Sequence, residues 1–317
     1  MRNIANGRKV AIIGCGFVGS TAAYTLMLSG LFNEIVMVDV DKERAEGEAL
    51  DIAHGIPFAR PVRIYSGNYD DAADALVAVV TAGANQKPGE SRLDLAQKNT
   101  NVFKKIMPEL VKRNFGGVVL VVTNPVEVLT KVTLDITGYS PNRVIGSGTV
   151  LDTARLKQRI GELLDVNSRN VHAHIVGEHG DSEVAVWSSA NIFGIPIEEF
   201  CQLRGCKNHE FELDEIANDV KNSAYEIINK KKATYYGIAQ AVKRICQAIV
   251  RDEKTILPVS HLQTGYCGID EVVLSMPAVV GKYGAEFSIP ATFSEAEIEK
   301  LVISAEKLKS VYSALEI

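Results

Sequence analysis

The feature that most constrains this chain is a glycine-rich turn near its beginning. The segment GCGFVG, with glycines at Gly14, Gly16 and Gly19, directly follows the apolar run of residues 9–13 and opens a stretch with helical spacing over residues 17–29. Such a strand–helix turn requires glycine because the turn is tight, a ligand must approach the backbone, and the helix must pack close to the strand. The amino end of the helix offers free N–H groups and a partial positive charge. The turn therefore predicts a site for the diphosphate of a dinucleotide.

An acidic residue at a fixed distance strengthens this prediction. Asp39 ends the next apolar run, twenty residues after Gly19, which is the spacing at which a carboxylate binds the adenosine ribose hydroxyls. A carboxylate there repels a 2′-phosphate, so NAD is favoured over NADP. The alternative is that Asp39 caps the following helix, which is predicted to begin near Asp41.

Short apolar runs alternate with amphipathic stretches through the first half of the chain. Continuous runs rich in Val and Ile, separated by helical segments, are typical of parallel strands buried on both faces by crossover helices. The pattern predicts an α/β fold with a Rossmann-type doubly wound parallel sheet as the NAD-binding domain over residues 1–147. The runs occupy residues 9–13, 34–40, 62–66, 76–81, 118–123 and 143–145.

The rhythm changes after about Gly148, where a second domain is predicted over residues 148–317. Its predicted helices cover residues 151–164, one long stretch at about residues 213–250, and a closing helix from Ser294. Strands grouped apart from helices indicate an α+β architecture, and a ligand is expected in the cleft between the domains. The strand-like runs lie at residues 171–176, 183–193, 256–262, 271–278 and 286–289.

Composition excludes several classes of function. The 34 Lys and Arg against 39 Asp and Glu give a net charge of −5, which argues against a nucleic-acid groove. The five cysteines lack the spacing of a zinc site, so we expect no metal and reduced thiols. With no secretory signal and no apolar run long enough to span a bilayer, the expected location is the cytoplasm, without membrane contact.

Four polar segments are candidates for catalysis. His179 lies in a glycine-flanked loop after a predicted strand, and Asp152 and Arg155 are neighbours on one helix face. Arg92 closes a Gly- and Pro-bearing loop, a potential lid, and Asn124 ends the fifth strand at the same crevice. Taken singly, each has a plain alternative: a hydrogen-bonded loop histidine, a surface salt bridge, or a solvated loop.

Together, six ordered motifs resemble the L-lactate and L-malate dehydrogenases, and most closely the bacterial L-lactate dehydrogenases, over nearly the whole chain. The motifs are GCGFVGS from Gly14, NQKPGESR from Asn85, TNPV from Thr123, LDTAR from Leu151, GEHGD from Gly177 and ATYYGIA from Ala233.

The resemblance implies reversible, NADH-dependent reduction of pyruvate to (S)-lactate. It makes His179 the acid/base, oriented by Asp152, and gives Arg92 the role of polarising the substrate carbonyl. Arg155 would grip the substrate carboxylate, with Asn124 and Thr234 also contacting the substrate. The cofactor residues implied are Gly14, Gly16, Phe17, Val18, Gly19, Asp39, Thr81, Ala82, Gly83, Asn124, Ser147 and Ile238.

Specificity and regulation depend on positions where relatives differ. Gln86 is neutral where malate-specific relatives have an arginine, so a second substrate carboxylate would lack a counter-charge. The family also implies a homotetramer activated by fructose 1,6-bisphosphate, which would bind at Lys157 and His172; Lys157 stands in place of the usual arginine. Glu127 replaces a frequent aspartate and is expected to be a harmless helix-start acid.

Three alternatives stay open at this point. The nearest alternative is a malate dehydrogenase, which Gln86 opposes, or an enzyme for another 2-hydroxy acid. An NAD-using glycosidase would need a metal site, for which the sequence offers no suitable cluster. A non-enzymatic NAD-binding module would need neither His179 nor the two arginines.

Overall fold

A computed structural model describes residues 6–84, 89–206 and 209–317 of the chain. Within these residues no helix is both long enough and apolar enough to cross a membrane. The strands are β1 (Asn6–Ile13), β2 (Glu34–Val38), β3 (Arg63–Ser66), β4 (Ala75–Val80), β5 (Val118–Val121), β6 (Val144–Gly146), β7 (Val171–Gly177), β8 (Glu183–Ile192), β9 (Ile195–Pro196), β10 (Thr255–Thr264), β11 (Asp270–Gly281) and β12 (Gly284–Ser288). The helices are α1 (Phe17–Ser29), α2 (Lys42–Ala53), α3 (Tyr69–Ala72), α4 (Arg92–Lys112), α5 (Val126–Thr137), α6 (Val150–Leu164), α7 (Ile197–Leu203), α8 (His209–Lys231), α9 (Tyr236–Val250) and α10 (Glu295–Ser313).

The first six strands form the predicted doubly wound parallel sheet, in the order β3-β2-β1-β4-β5-β6. Side chains of β1 alternate between two cores: Val10 and Ile12 face the helices α1, α2 and α9, whereas Ala11 and Ile13 face α4 and α5. Both faces are therefore buried, as continuous apolar strands require. The order of strands reverses beside β1 and β4, and the loops at their carboxyl ends form the crevice where ligands bind in such sheets.

The sheet continues into the second half of the chain through antiparallel strands. β10 joins β6 by the single pair Ser260–Gly146, and β11 joins β7 by the single pair Ser275–Gly177. β10 and β11 pair along most of their length, and β7 pairs with β8. We call the junction of β6, β10, β11 and β7 the seam. It connects the parallel sheet to the strands that carry the predicted catalytic loop.

One predicted helix is wrong. The stretch 213–250 is two helices, α8 and α9, separated at residues 232–235. Lys232 has a φ of 72°, and a left-handed residue cannot continue an α-helix. The break places Thr234 in a short link beside the glycine-rich turn, where the ring of Tyr235 stacks on that of Phe17 with centroids 5.5 Å apart.

Candidate active site

The glycine-rich turn is closely packed against the loop that follows β4. Gly14 has a φ of 102°, and a Cβ there would lie 2.4 Å from the backbone N of Ala82. A Cβ on Gly19 would lie 1.9 Å from the carbonyl oxygen of Gly14. The Thr81 hydroxyl donates to that same oxygen at 2.7 Å. Glycine is therefore required at both positions by contacts within the protein.

The middle glycine of the turn has a different environment. Gly16 is the N-cap of α1, no side chain caps this helix end, and a Cβ on Gly16 would meet nothing within 4 Å. The start of α1 therefore lacks a side-chain cap and has open space beside Gly16, next to exposed Phe17 and half-buried Val18. Free helix N–H groups beside an open backbone fit the diphosphate of a dinucleotide.

Asp39 lies at the end of β2, beside this turn. Its Oδ2 accepts the Cys15 N–H at 2.5 Å, and its Oδ1 accepts the Asp41 N–H at 3.0 Å. The capping of α2 falls to Asp41, which accepts from Arg44 N at 3.0 Å. Asp39 therefore does not cap the helix. It secures the glycine-rich turn at the place where the ribose carboxylate was predicted.

The loop after β4 is held by a buried amide that the sequence motifs did not include. Asn99 on α4 accepts the Ala84 N–H at 2.7 Å and donates to the Asn124 carbonyl oxygen at 2.8 Å. At Gly83, a Cβ would lie 2.4 Å from Thr123 Cγ2. The predicted cofactor loops after β4 and β5 are thus joined through one side chain. Buried Ser147 extends the same edge, because its N–H donates to the carbonyl oxygen of Val121 at the end of β5.

The predicted catalytic residues of the second half meet at one point. His179 Nδ1 lies 2.5 Å from Asp152 Oδ2, and Asp152 Oδ1 accepts from Arg155 Nη1 at 2.8 Å. The Asp152 side chain is only 2% exposed, whereas that of His179 is 23% exposed. The carboxylate is therefore internal, and the imidazole is the member of the pair that a ligand can reach.

Two threonines bring the helix and the loop together. On α6 and the residue before it, Thr153 Oγ1 accepts the Ile175 N–H at 2.9 Å and Thr149 Oγ1 donates to the Ile175 carbonyl oxygen at 2.5 Å. Both bonds are buried, so they fix the start of α6 against β7. Asp152 on α6 consequently faces the loop that begins after Gly177, whose φ of 94° turns the chain toward it.

The electrostatics of the pair suit an acid that is charged at neutral pH. Burial acts to lower the pKa of His179, but the charge of the Asp152 carboxylate and its hydrogen bond raise that pKa to about 9. Burial acts to raise the pKa of Asp152, and the neighbouring His179 and Arg155 lower it below its usual value. The stable state is therefore imidazolium beside carboxylate.

Glu183, at the start of β8, is a neighbour that the sequence did not single out. Its ligand atom lies within 4.8 Å of those of Asp152 and His179, so these three side chains could together hold a metal ion. Its Oε1 is buried without a hydrogen-bond partner among the described residues. Burial and the charge of Asp152 raise the pKa of Glu183 to about 8, against the opposing charges of His179 and Arg155. Glu183 is consequently a neutral acid at neutral pH.

Arg92, the first residue of α4, reaches the catalytic loop. Its Nη1 lies 2.9 Å from Glu178 Oε1 and 3.5 Å from Asp181 Oδ2, and its guanidinium fills the space where Gly180 lacks a side chain. These acids flank His179 in the sequence. The structure therefore brings Arg92 to the rim of the site while its side chain stays 45% exposed.

Glu127 is a helix-start acid as predicted, but its side chain is buried. It stands in the first turn of α5, but it is 1% exposed. Its Oε1 accepts the backbone N–H of His179 at 3.2 Å, because α5 begins at the seam, directly behind the catalytic loop. The sequence indicates an acid at this position but not its burial or its contact with His179.

The remaining predicted residues are less closely joined. Gln86 lies outside the described residues. Ile238, in the first turn of α9, packs on the same core as Val18, and Thr234 is half-buried in the α8–α9 link. Elsewhere, half-buried Lys157 on α6 and exposed His172 on β7 both lie near His174. Burial, then the charges of Lys157 and His172, lower the pKa of His174.

A glycine-rich turn suited to a dinucleotide, together with a histidine–aspartate pair and two arginines, is the set of features expected of a nicotinamide-dependent dehydrogenase. Comparison with known families agrees. Residues 8–146 match the NAD-binding domain of lactate/malate dehydrogenases, and residues 149–316 match their alpha/beta C-terminal domain. The chain belongs to the lactate/malate dehydrogenase family, and NAD is its cofactor.

Individual relatives extend over almost the whole chain. It is 51% identical over 310 residues to an L-lactate dehydrogenase of Acetivibrio thermocellus, covering 98% of both chains. It is 52% identical over 305 residues to one of Clostridium botulinum, covering 96% of both. Among solved structures, a lactate dehydrogenase from a Medee basin deep-sea metagenome library superposes with a TM-score of 0.94 at 43% identity, covering 99% of each chain. A minor L-lactate dehydrogenase of Enterococcus mundtii, with ligands bound, gives 0.93 at 41%, covering 98% of this chain and 99% of that one.

Proposed function

We propose that the protein is an L-lactate dehydrogenase that reduces pyruvate reversibly to (S)-lactate with NADH. The observation that carries the proposal is the buried Asp152 carboxylate, which contacts His179 on one oxygen and Arg155 on the other. An acid/base and a carboxylate-binding cation are thus fixed side by side. The relatives named L-lactate dehydrogenase support the same reaction.

The residues of the first half fit the cofactor. The uncapped start of α1 and the open backbone at Gly16 would hold the diphosphate, and Asp39 would bind the adenosine ribose. Ile238 would form an apolar wall for the nicotinamide. When bound, NADH supplies the hydride of the reduction.

His179 would supply the proton. With its pKa raised to about 9, the imidazole is protonated at neutral pH and can donate a proton to the substrate oxygen as negative charge develops there. In the reverse direction the neutral imidazole would accept that proton. Asp152 holds the ring through Nδ1, which leaves Nε2 as the nitrogen that exchanges the proton.

The two arginines would bind and polarise the substrate. Arg155 is 14% exposed in its side chain, and its guanidinium has donors beyond the one that Asp152 uses, so it can bind a carboxylate through two parallel bonds. Arg92 would exchange its contacts with Glu178 and Asp181 for the substrate carbonyl oxygen. Asn124 and Thr234 would complete the substrate contacts.

Gln86 would set the choice between pyruvate and oxaloacetate. A second substrate carboxylate beside a neutral amide would be buried without a counter-charge, at a cost of several kcal/mol. The test is kcat/KM for NADH oxidation with pyruvate and with oxaloacetate, in the native protein and in Gln86→Arg. A preference for pyruvate that Gln86→Arg moves toward oxaloacetate supports the proposal. A native preference for oxaloacetate would make the protein a malate dehydrogenase.

We also propose a homotetramer activated by fructose 1,6-bisphosphate. Lys157 on α6 and His172 on β7 each lie close enough to His174 to act on its pKa, and Lys157 would offer a positive charge to a phosphate, although it lacks the fork of an arginine. Activity at low pyruvate should rise as the bisphosphate is added, and Lys157→Gln should abolish the rise. Light scattering measures the assembly; an unchanged saturation curve would remove the regulatory proposal without affecting the reaction.

Finally, we propose the cytoplasm as the location. All five cysteines are free thiols, and burial raises the pKa of Cys15, Cys201 and Cys246 to about 12. Such thiols are poor nucleophiles at neutral pH, and unpaired cysteines are typical of a reducing compartment. Cell fractionation with activity measured in each fraction tests this assignment.

A further inference from the structure

The proposed reaction leaves one buried carboxyl without a role. Glu127 Oε1 accepts three hydrogen bonds: from the His179 N–H at 3.2 Å and from the hydroxyls of Ser260 and Ser275, each at 2.8 Å. Its other oxygen, Oε2, is buried and has no hydrogen-bond partner among the residues that the structure describes. The side chain therefore uses one oxygen as a shared acceptor and leaves the other buried.

These partners are the residues that form the seam. Ser260 provides the single pair between β10 and β6, Ser275 provides the single pair between β11 and β7, and the two serines also face each other. A one-residue pair between strands gives little backbone bonding. Glu127 adds hydrogen bonds from α5 to both sides of the seam and to the catalytic loop.

The unpartnered oxygen indicates the charge state. An anionic oxygen that is fully desolvated and receives no hydrogen bond is costly, whereas a protonated Oε2 carries no charge. Burial likewise raises the pKa of Glu127. Both observations favour the protonated carboxyl, in which Oε1 can still accept the three bonds.

We propose that Glu127 is a positioning residue whose Oε1 fixes the backbone N–H of His179 to the seam and so holds the imidazole against Asp152. The inference rests on the proposed function, because pyruvate reduction is its main measurement. The acidic groups near the imidazole are Asp152 on α6, Glu183 on β8 and Glu127 on α5. Glu127 acts electrostatically on the imidazole only when it is ionised. Arg155 pairs with Asp152, and Arg92 pairs with Glu178 and Asp181 in the same loop.

The test compares two substitutions of similar size. Glu127→Met removes the acceptor, and we expect kcat for pyruvate to fall at least about tenfold, since small misplacements of an acid/base are costly, with KM for NADH unchanged. Glu127→Gln retains an acceptor at Oε1 without charge, so it should restore most of that loss. Its alkaline limb in the pH profile should match that of the native protein.

Two further variants keep the test decisive. Ser260→Ala removes one hydrogen bond to Oε1 but leaves the bond to His179, so it should lower Tm with a much smaller loss of kcat than Glu127→Met. If Glu127→Met does not fold, Glu127→Asp replaces it: the carboxyl is withdrawn by one methylene, and kcat should fall at least about threefold. Equal kcat in all variants would overturn the proposal. The proposal would also be overturned if the alkaline limb of the pH profile moved down by a full pH unit in Glu127→Gln, because Glu127 would then act through its negative charge.

A measurement without substrate separates this inference from the proposed function. Amide hydrogen exchange over residues 177–181 should be faster in Glu127→Met than in the native protein and near native in Glu127→Gln. If the native protein does not reduce pyruvate, the proposed function fails, and the exchange result still decides whether Glu127 holds the loop. Unchanged exchange in Glu127→Met would refute the positioning role in either case.

Discussion

Replacing Asp152 by Asn tests the electrostatic basis of the site, since it preserves shape and removes charge. The carboxylate is 2.5 Å from His179 Nδ1 and is the largest of the contributions that raise the pKa of the imidazole. The rise from 6.5 to about 9 corresponds to ~3 kcal/mol in favour of the imidazolium. Burial alone lowers that pKa, so we expect the variant to titrate at or below 6.5.

The effect on activity follows from the protonated fraction. At pH 7.5 a group with a pKa of about 9 is ~97% protonated, whereas one at 6.5 is ~9% protonated. Pyruvate reduction uses the protonated imidazole, so kcat/KM at pH 7.5 should fall by at least about tenfold from this cause alone. The alkaline limb of the profile should move from about pH 9 to pH 6.5 or lower. For lactate oxidation, which uses the neutral imidazole, the acid limb should move down by the same amount.

The assay is the pH dependence of kcat/KM in both directions, between about pH 5.5 and pH 10. Asp165→Asn is the matched control, because Asp165 lies at the other end of α6, is exposed, and has a left-handed φ of 51° that Asn also tolerates. It should leave both limbs in place. An Asp152→Asn enzyme that is slower but keeps its limb at pH 9 would falsify the assignment of the raised pKa to this carboxylate.

Three other substitutions have distinct expected outcomes. Arg155→Lys keeps the charge but loses the planar fork, so KM for pyruvate should rise roughly tenfold to a hundredfold with KM for NADH unchanged. Gly19→Ala places a Cβ 1.9 Å from a backbone oxygen and should lower Tm, whereas Gly16→Ala should fold normally and weaken NADH binding, measured by fluorescence titration. Glu183→Gln should have a higher Tm than the native protein, and the difference should grow from pH 4.5 to about pH 8 and then level off. The reason is that folded Glu183 keeps a proton that the unfolded chain releases in this pH range, so the native protein loses stability as the pH rises while the variant does not. A margin independent of pH would show that Glu183 is ionised when folded.

Most of the fold follows from local pattern. Parallel strands such as β1 and β4 are buried on both faces, so the sequence marks them as uninterrupted apolar runs. The prediction of one helical stretch over residues 213–250 was wrong because the break between α8 and α9 has no local signal in the sequence. Its helical spacing continues through the break, and nothing local marks Lys232 as a left-handed residue; the stacking of Tyr235 on Phe17 joins segments far apart in the chain.

The residues of the candidate site likewise fall into those that the sequence predicted and those that it did not. The Asp152–His179 contact was expected because the motifs that contain the two residues resemble those of the lactate and malate dehydrogenases, and the resemblance implies this pair. Asn99, Glu127 and Glu183 were not, because each acts through contacts with distant segments. A signal does exist for Asn99: Ala96, Asn99 and Phe103 share the buried stripe of α4, and a polar residue on such a stripe requires a hydrogen-bonding partner. The same reasoning applies to Glu127, which is followed by buried Val128 and Leu129.

The seam explains why neither half of the chain would form the site alone. His179 lies on the second half, and Glu127, which accepts its N–H, lies on the first. The serines that share this acceptor belong to the strand pairs that join the halves. Asp152 and His179 both lie on the second half, whereas the hydrogen bond that fixes the loop backbone crosses the seam. Loosening the seam should therefore disturb the placement of the acid/base before it disturbs the binding of NADH, and this order distinguishes a positioning defect from general instability.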